Sequence, residues 1–250
     1  MIPKVIHYCW FSGEKPNRFI RNCIKTWQKV MPDYRIRIWD ANSFDFDSVP
    51  FVRDAFKAKK WAFVADYVRI YALYTEGGVY LDSDVKVYRK FDDFLNNRFF
   101  IGTEPLAEGN VELESAIMGS EAGHPYLKEC LDYYNHLDFI PEVKKMGPIT
   151  CPRIMSQVMK PWGYNYENKE QDLPDGIKIF DRSIFGHCFG TPVGNYYAIH
   201  YFNASWLEQR HGALYRFCKS NDLMNHYLRV EKWSKIFKQK LHNHNNDKNS

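Results

Sequence analysis

The chain has 250 residues, 45% of them hydrophobic and 26% charged, a balance that excludes wholesale disorder and collagen-like repeats. Its net charge of +4 is uneven, because residues 208–250 carry nine Lys or Arg and four Asp or Glu, which leaves residues 1–207 nearly neutral. A neutral body lacks the clustered cations that phosphate contacts need, so we expect no nucleic-acid partner.

The N-terminal part of the chain alternates between strand and helix patterns. Residues 5–11 form a short apolar run typical of a buried strand, and Pro16 suits the first turn of a helix over residues 16–30. Residues 34–39 alternate between polar and apolar side chains, which predicts a second strand. Strand, helix and strand in this order favour a βαβ unit in a mixed or parallel sheet.

The middle of the chain contains the longest helical pattern. Residues 40–52 are predicted as a loop, and a helix follows over residues 53–76, either continuous or broken near Lys59. The Gly77-Gly78 pair ends this helix, since glycine tolerates the left-handed conformation of a helix C-cap. Residues 79–88 are then predicted as one strand.

The last part of the chain contains shorter elements and a basic end. We expect strands at residues 99–104, 114–118, 178–180 and 196–201, helices at 124–137 and 153–159, and loop-rich segments at 144–152 and 161–176. From Trp206 the sequence becomes helical and basic. We therefore predict one α/β domain over residues 1–207, a helical basic extension over 208–241 and a disordered tail over 242–250.

The strongest chemical signal is the pair Asp82 and Asp84, next to an otherwise apolar strand pattern. Because strand side chains alternate, both carboxylates are predicted to point to the same side, about 7 Å apart. They repel each other unless a cation lies between or beside them, and Mg²⁺ and Mn²⁺ prefer such oxygen ligands and bring a bound diphosphate with them. The alternative is a solvated strand end with two acidic residues.

Asp66 and Arg69 lie three residues apart on the preceding helix and share a face. They form either a surface ion pair of little energetic value or part of a binding site. In the second interpretation, Asp66 accepts hydrogen bonds from sugar or ribose hydroxyls and Arg69 neutralises phosphate charge. The glycine turn returns this helix directly to the strand with Asp82 and Asp84, so all four side chains could face one cleft.

Residues 65–69 (ADYVR), 73–74 (LY) and 77–84 (GGVYLDSD) together resemble the signature of the D-x-D sugar-binding-region glycosyltransferases. These include bacterial capsule and O-antigen transferases and fungal mannosyltransferases, with the clostridial glucosylating toxins as more distant relatives. The opening IPKVIHYCWF, Trp39-Asp40 and the late HYFNASW also resemble the family, so that the match extends over about residues 2–206.

The resemblance implies a GT-A fold, in which a Rossmann-like mixed sheet is flanked by helices. It further implies a retaining transfer that uses Mn²⁺ or Mg²⁺ and a nucleotide-sugar donor, with a UDP-sugar favoured over a GDP-sugar. The acceptor would be a hydroxyl of a surface polysaccharide, such as capsule or O-antigen, or of a lipid-linked saccharide. These properties follow from the family and not from composition or spacing.

The same resemblance implies roles for individual residues. Trp10 would stack on the nucleotide base, Asp66 and Arg69 would hold the donor, Asp84 would bind the metal, and Asp82 would reach the ribose or the metal through water. The late segment would complete the site with His200, Asn203, Ser205 and Trp206, and imidazole suits Mn²⁺ as a ligand. Trp10 and His200 could instead be core residues. Glu104 is a weaker candidate for an acceptor contact, and His7 is expected to be a hydrogen-bonded core residue.

Cysteine usage and the ends of the chain bear on location. The six cysteines form no C-x-x-C pair and are interpreted as reduced thiols of a cytosolic protein. The N-terminal apolar run is too short for a signal peptide, and no segment approaches the ~20 apolar residues of a membrane span. The stretch from Leu228 to Leu241 has a basic amphipathic pattern. It could rest on the inner face of an anionic membrane or pack on the body.

Two other functions compete with sugar transfer. A nucleotide- or glycan-binding module without catalysis would keep the same residues. A glycoside hydrolase would use Asp82 and Asp84 as its acid and base, but such carboxylates must flank the scissile bond from opposite sides. The aromatic content of 17% exceeds what a core of this size needs, so we expect some rings to line a cleft for flat ligands.

Overall fold

The computed structural model describes residues 1–105, 111–139, 150–187, 196–201, 212–224 and 227. Within these residues the strands are β1 (Val5–Cys9), β2 (Arg35–Trp39), β3 (Gly78–Leu81), β4 (Val85–Val87), β5 (Phe99–Pro105), β6 (Val111–Ser120), β7 (Gln171–Leu173), β8 (Ile177–Phe180), β9 (Phe185–His187) and β10 (Ala198–His200). The helices are α1 (Arg18–Val30), α2 (Pro50–Lys57), α3 (Trp61–Glu76), α4 (Pro125–Asn135), α5 (Cys151–Met159) and α6 (Ala213–Ser220).

The strands form two sheets. The larger has seven strands in the order β2-β1-β3-β6-β5-β8-β7, and the smaller has three in the order β4-β10-β9. Strand β1 is parallel to both β2 and β3, whereas β6 is antiparallel to β3 and β5. Helix α3 packs against β1 and β3, α5 against β6, and α1 against β4. The predicted mixed α/β sheet flanked by helices is therefore confirmed.

Helix α1 follows β1 of the larger sheet in the chain and packs against β4 of the smaller sheet. It begins after Asn17, whose side chain accepts a hydrogen bond from the backbone N–H of Ile20 at 3.0 Å and so satisfies one of the open donors of the first turn. Its buried face includes Trp27, whose indole N–H donates to the carbonyl of Val85 in β4 at 2.8 Å. This bond fixes α1 against the smaller sheet.

The long helical pattern forms two helices, with the break at the predicted place. Lys59 has a φ of 54°, which ends α2 and separates it from α3. The predicted loop over residues 40–52 was too long, because α2 already begins at Pro50, which is preorganised for a first helical turn. No described helix is long and apolar enough to cross a membrane.

Three strand predictions were wrong in detail. Residues 79–88 form two strands in different sheets, and the loop-rich segment 161–176 contains β7. Strand β9 was also missed. Both β7 and β9 have three residues, too few to show an alternating pattern, and they are extended because they pair with β8 and β10.

Much of the aromatic excess lies in the core. Five phenylalanines pack together between the two sheets, mostly in tilted or edge-to-face pairs with ring centroids 4.9–6.5 Å apart: Phe91, Phe94, Phe100, Phe180 and Phe185. These rings are at most 8% exposed, so they pack the interior and do not line a cleft. The described cysteines are free thiols, as expected.

The turn from α3 into β3 depends on two glycines and a buried histidine. Gly77 and Gly78 have φ values of 63° and 113°, and a Cβ on Gly78 would lie 2.7 Å from the carbonyl oxygen of Val5. His7 is fully buried and accepts a hydrogen bond on Nδ1 from the Trp39 indole at 3.0 Å, so its Nε2 donates to the carbonyl of Gly77 at 2.8 Å. Burial lowers the pKa of His7 from 6.5 to about 4.

We predict that His7 makes the protein acid-sensitive. The pKa of His7 is lower in the folded than in the unfolded chain. The stability that neutral His7 contributes is therefore fully present above pH 6.5 and is lost as the pH falls towards 4. His7→Gln should remove about 2 to 3 kcal/mol of the decrease in unfolding free energy between pH 7 and pH 4. Urea unfolding at several pH values measures this.

The exposed His136 provides the matched control, and His136→Gln should leave the pH dependence as in the wild type. Buried His124, whose pKa burial also lowers to about 4, should keep some acid sensitivity in His7→Gln. An unchanged slope in His7→Gln would contradict the prediction.

Candidate active site

Asp82 and Asp84 lie in the turn that connects the two sheets. Strand β3 ends at Leu81, and the backbone N–H of Asp82 donates to the carbonyl of Ala116 in β6 at 2.9 Å. Val85 N–H then donates to the carbonyl of Asp82 at 3.0 Å, which closes the turn before β4. The prediction that the two aspartates lie on one side of a continuous strand was therefore wrong. They are brought together by a turn.

Strand β10 brings His200 to this turn. It is antiparallel to β4, with His200 opposite Val85. The imidazole Nε2 lies 3.3 Å from Asp84 Oδ1 and 3.9 Å from Asp82 Oδ2, and ligand atoms of these three residues all lie within 4.8 Å of one another. Asp84 and His200 are buried, and Asp82 is partly exposed. The site thus combines one end of each sheet.

Glu114 lies behind His200 and was not identified from the sequence. Its side chain is 2% exposed, and Oε1 lies 3.1 Å from His200 Nδ1 and accepts the backbone N–H of Ala116 at 2.9 Å. Burial disfavours a charged imidazole, but Asp84 and Glu114 outweigh it and hold the pKa of His200 well above its usual value. No sequence pattern links residues 114 and 200, because they lie on strands of two different sheets that meet only in the folded chain.

Arg69 is the buried centre of a second group of charges. Its guanidinium lies 3.0 Å from Asp66 and 3.3 Å from Asp82, and it donates to the carbonyl of Ser115 at 2.9 Å. It also covers the ring of Tyr80 at 4.8 Å, while the Tyr80 hydroxyl donates to Asp82 at 2.8 Å. The pair on α3 is thus a buried ion pair and not a surface one.

Burial sets the charge state of this group. It raises the pKa of Asp66 from 3.8 to about 6, although the Arg69 charge acts in the opposite direction. Burial also disfavours the charged form of Arg69, but Asp82 and the other anionic neighbours outweigh it, so its pKa rises further. At neutral pH, Arg69 therefore carries its charge beneath largely ionised Asp66.

The register of β6 explains how one strand reaches all of these residues. Its pairing with β5 shifts from Met118 opposite Ile101 to Glu114 opposite Gly102. Such a β-bulge re-aims side chains and is common next to active sites. Three consecutive residues at this shift contact the site. Glu114 contacts His200, the carbonyl of Ser115 accepts from Arg69, and the carbonyl of Ala116 accepts from the backbone of Asp82.

The remaining predicted residues are more scattered. Trp10 is partly buried, and its indole N–H donates to the carbonyl of Glu14 at 2.6 Å. Glu104 lies on β5, where burial and the charge of Glu114 raise its pKa to about 8. Asn203, Ser205 and Trp206 lie outside the described residues, as does the stretch from Leu228 to Leu241.

The cluster of Asp82, Asp84 and His200 fits a divalent cation. Two carboxylates and one imidazole are oxygen and nitrogen donors that Mn²⁺ and Mg²⁺ accept, and together they carry the negative charge that such an ion would offset. Glu114 provides the hydrogen-bond partner on the other nitrogen of the imidazole, as is usual for metal-binding histidines. The residues present therefore suit a metal site.

Comparison with known proteins gives one family and several relatives. Residues 16–100 match the family model described as the glycosyltransferase sugar-binding region containing the DXD motif. The chain is 32% identical over 168 residues to mannosyl phosphorylinositol ceramide synthase SUR1 of Saccharomyces cerevisiae, covering 64% of this chain and 42% of that protein. It is 28% identical to inositol phosphoceramide mannosyltransferase 3 of Schizosaccharomyces pombe, covering 62% and 45%. The chain spans about half the length of these curated relatives.

Several of the solved structures that match at low similarity are glycosyltransferases. PaToxG glycosyltransferase has a TM-score of 0.49 at 19% identity, with 64% of this chain and 69% of that chain covered. GlyE of Streptococcus pneumoniae has a TM-score of 0.49 at 11% identity, with 93% and 64% covered. Likenesses at this level carry no argument about activity.

We predict that Arg69 is essential for stability because its loss leaves buried carboxylates uncompensated. Arg69→Met should lower the free energy of unfolding by about 3–5 kcal/mol. The double variant Asp66→Asn/Arg69→Met should be more stable than Arg69→Met by about 1 kcal/mol or more, since it no longer buries the Asp66 charge. Urea unfolding at pH 7 measures both.

The exposed pair Lys128 and Asp132 on α4 provides the control, and Lys128→Met should cost less than about 1 kcal/mol. Equal stability of Arg69→Met and Lys128→Met would contradict the prediction. So would a double variant that is less stable than Arg69→Met.

Proposed function

We propose that this chain, whose residues 16–100 match the DXD-containing sugar-binding region of glycosyltransferases, transfers a sugar from a nucleotide-diphosphate donor to an acceptor hydroxyl. The observation that carries the proposal is the cluster of Asp82, Asp84 and His200, whose two aspartates lie within the matched residues 16–100 and beside buried Arg69. In such a transfer a diphosphate leaves while the anomeric carbon becomes oxocarbenium-like, so the site must stabilise the negative charge of the leaving group.

Asp84 and His200 would hold Mn²⁺ or Mg²⁺, and Asp82 would complete the site. A divalent cation bound there supplies Lewis-acid stabilisation of the diphosphate. The protein residues fix the ligand atoms before the donor arrives, since the β4–β10 ladder sets Asp84 against His200 and the Ala116 carbonyl holds the backbone of Asp82. Such preorganisation avoids the cost of ordering the site during the reaction.

Asp66 and Arg69 act as the donor-binding pair in this proposal. Arg69 is 6% exposed and lies beneath Asp66 and Asp82, whose side chains are 13% and 25% exposed. Their carboxylates are therefore the groups that sugar and ribose hydroxyls can reach. The guanidinium beneath them orients both carboxylates through its ion pairs, and it adds positive potential near the diphosphate.

Other residues keep the roles that the family resemblance implies. Trp10 is proposed to stack on the base, and Asn203, Ser205 and Trp206 are proposed to close the donor site. Glu104 is proposed to contact the acceptor. Burial and the charge of Glu114 raise the pKa of Glu104 to about 8, and its carboxyl, largely protonated at pH 7, is hydrogen-bonded to Glu114. Retention of the anomeric configuration is proposed on the same resemblance.

The names of the relatives narrow the proposed substrates. Three are named inositol phosphoceramide mannosyltransferases, and two are named mannosyl phosphorylinositol ceramide synthases. We therefore propose that the sugar is mannose or another hexose and that the acceptor is a hydroxyl of a polyol or saccharide carried on a lipid. Capsule and O-antigen acceptors receive no support from these relatives. The donor nucleotide is proposed to be GDP or UDP.

A lipid-borne acceptor suits the exposed face of α6. Leu214 and Phe217, three residues apart on this helix, are 66% and 60% exposed, and Arg216 between them is also exposed. Asp222, just after α6, accepts a hydrogen bond from Lys86 in β4 at 2.8 Å, which joins the end of α6 to the chain two residues from Asp84. We propose that α6 and the stretch from Leu228 to Leu241 contact the inner face of an anionic membrane.

The proposed transfer predicts donor hydrolysis that depends on a divalent metal. With Mn²⁺ and a panel of GDP-mannose, UDP-glucose and UDP-galactose, the wild type should hydrolyse at least one donor and transfer its sugar to phosphoinositol lipid in vesicles. Asp82→Ala and Asp84→Ala should each reduce turnover at least about 100-fold. Released nucleotide and labelled lipid measure the two reactions.

Circular dichroism should show that both variants keep the fold. Asp132→Ala, an exposed acid on α4, should retain wild-type turnover as the matched control. Activity of the double variant without metal would refute the proposal. Nucleotide binding without turnover of any donor would instead favour a non-catalytic binding module.

Membrane contact predicts vesicle binding that needs both charge and apolar surface. The wild type should sediment with anionic vesicles and much less with neutral ones, and high salt should release it. Removal of residues 228–250, or Leu214→Ser/Phe217→Ser, should each weaken binding, while Tyr133→Ser on exposed α4 should not. Unchanged sedimentation of both altered proteins would contradict the membrane contact.

A further inference from the structure

Glu114 is a buried acid whose position on β6 has a cost that the structure must offset. A carboxylate removed from water is unstable unless it is hydrogen-bonded or paired with a positive group. Here Oε1 lies 3.1 Å from His200 Nδ1 and accepts the backbone N–H of Ala116 at 2.9 Å. The side chain therefore has partners on its own strand and on β10, and Glu104 on the neighbouring β5 is also hydrogen-bonded to it.

The two ring nitrogens of His200 face different groups. Nδ1 faces Glu114, while Nε2 faces Asp84 at 3.3 Å and Asp82 at 3.9 Å. An ionised carboxylate can only accept a hydrogen bond, so Nδ1 carries a proton in this contact. When a cation displaces the proton on Nε2, the ring keeps its proton on Nδ1, and Nε2 offers its lone pair on the side of the two aspartates.

The Ala116 peptide connects this contact to the first aspartate. Its N–H donates to Glu114 Oε1, and its carbonyl accepts the N–H of Asp82 at 2.9 Å. One peptide unit thus fixes the carboxylate that holds His200 and the backbone that carries Asp82. The ligand atoms from the two sheets are positioned relative to each other through β6.

We propose that Glu114 is a positioning residue of the site, which holds His200 by its Nδ1 proton and so presents Nε2 to a divalent cation. The inference rests on the metal site of the proposed function, and it adds a residue outside the ligand cluster itself. Glu114 acts through His200, and its removal changes how well the cation is held before any donor or acceptor is present.

Metal binding by the whole chain tests the inference without donor. Mn²⁺ affinity, measured by electron paramagnetic resonance titration, should fall about 10- to 100-fold in Glu114→Leu, the usual effect of losing the partner of a metal-binding histidine. Glu114→Gln should lose less, because its amide oxygen still accepts the Nδ1 proton. Both variants remove the charge, so the ratio of their affinities measures the hydrogen bond.

Ser156 on α5 provides a matched structural control. Its hydroxyl accepts the N–H of Leu113 at 2.8 Å, so it supports β6 one residue from Glu114 without touching His200. Ser156→Ala should lower the melting temperature and leave Mn²⁺ affinity unchanged. In a His200→Ala background, Glu114→Leu should cause little further loss of affinity, since the two residues act through one contact.

Three outcomes would overturn the inference. These are equal Mn²⁺ affinity in Glu114→Leu and Glu114→Gln, the same loss in Ser156→Ala, and absence of Mn²⁺ binding in the wild type. If the wild type binds Mn²⁺ with this dependence on Glu114 but turns over no donor, the proposed transfer fails and the positioning role stands.

Discussion

The buried charge of Arg69 is the interaction on which the arrangement of the site depends. A guanidinium that is 6% exposed must be compensated, because the free energy of leaving it unpaired away from water is large. Its partners come from three elements: Asp66 on α3, Asp82 after β3, and Ser115 on β6. Helix and strands cannot separate here without leaving an uncompensated ion, so this part of the fold and the site are stabilised together.

Three consecutive residues in the bulged part of β6 make the contacts that hold the site together. Glu114 contacts His200, the carbonyl of Ser115 accepts from Arg69, and the peptide of Ala116 bonds to Glu114 and Asp82. A regular strand would point successive side chains to opposite faces of the sheet. The register shift between Ile101 and Gly102 is what permits three neighbours to serve one site.

Local patterns in the sequence predicted the elements of the site better than their assembly. Helical spacing placed Asp66 and Arg69 on one face, and the glycine pair located the turn into β3, because both depend on a few adjacent residues. The same reasoning joined β3 and β4 into one strand, since a change of sheet leaves no mark on alternation. Glu114 was missed because its partner His200 is 86 residues away, and because Glu112 and Glu114 alternate with apolar residues as on an ordinary half-exposed strand. The aromatic content indicated a cleft, whereas many of the rings fill the space between the sheets.

The short turn at Asp82 to Val85 has a mechanical consequence. Asp82 is fixed to the seven-stranded sheet, whereas Asp84 and His200 belong to the edge where β4 meets β10. The candidate site therefore lies where the two sheets meet, joined in the chain by residues 82–84 and packed together through a shared apolar core. A shift of one sheet against the other would change the spacing of the three ligand groups. An ion held by all three would therefore link the two sheets and oppose such a shift.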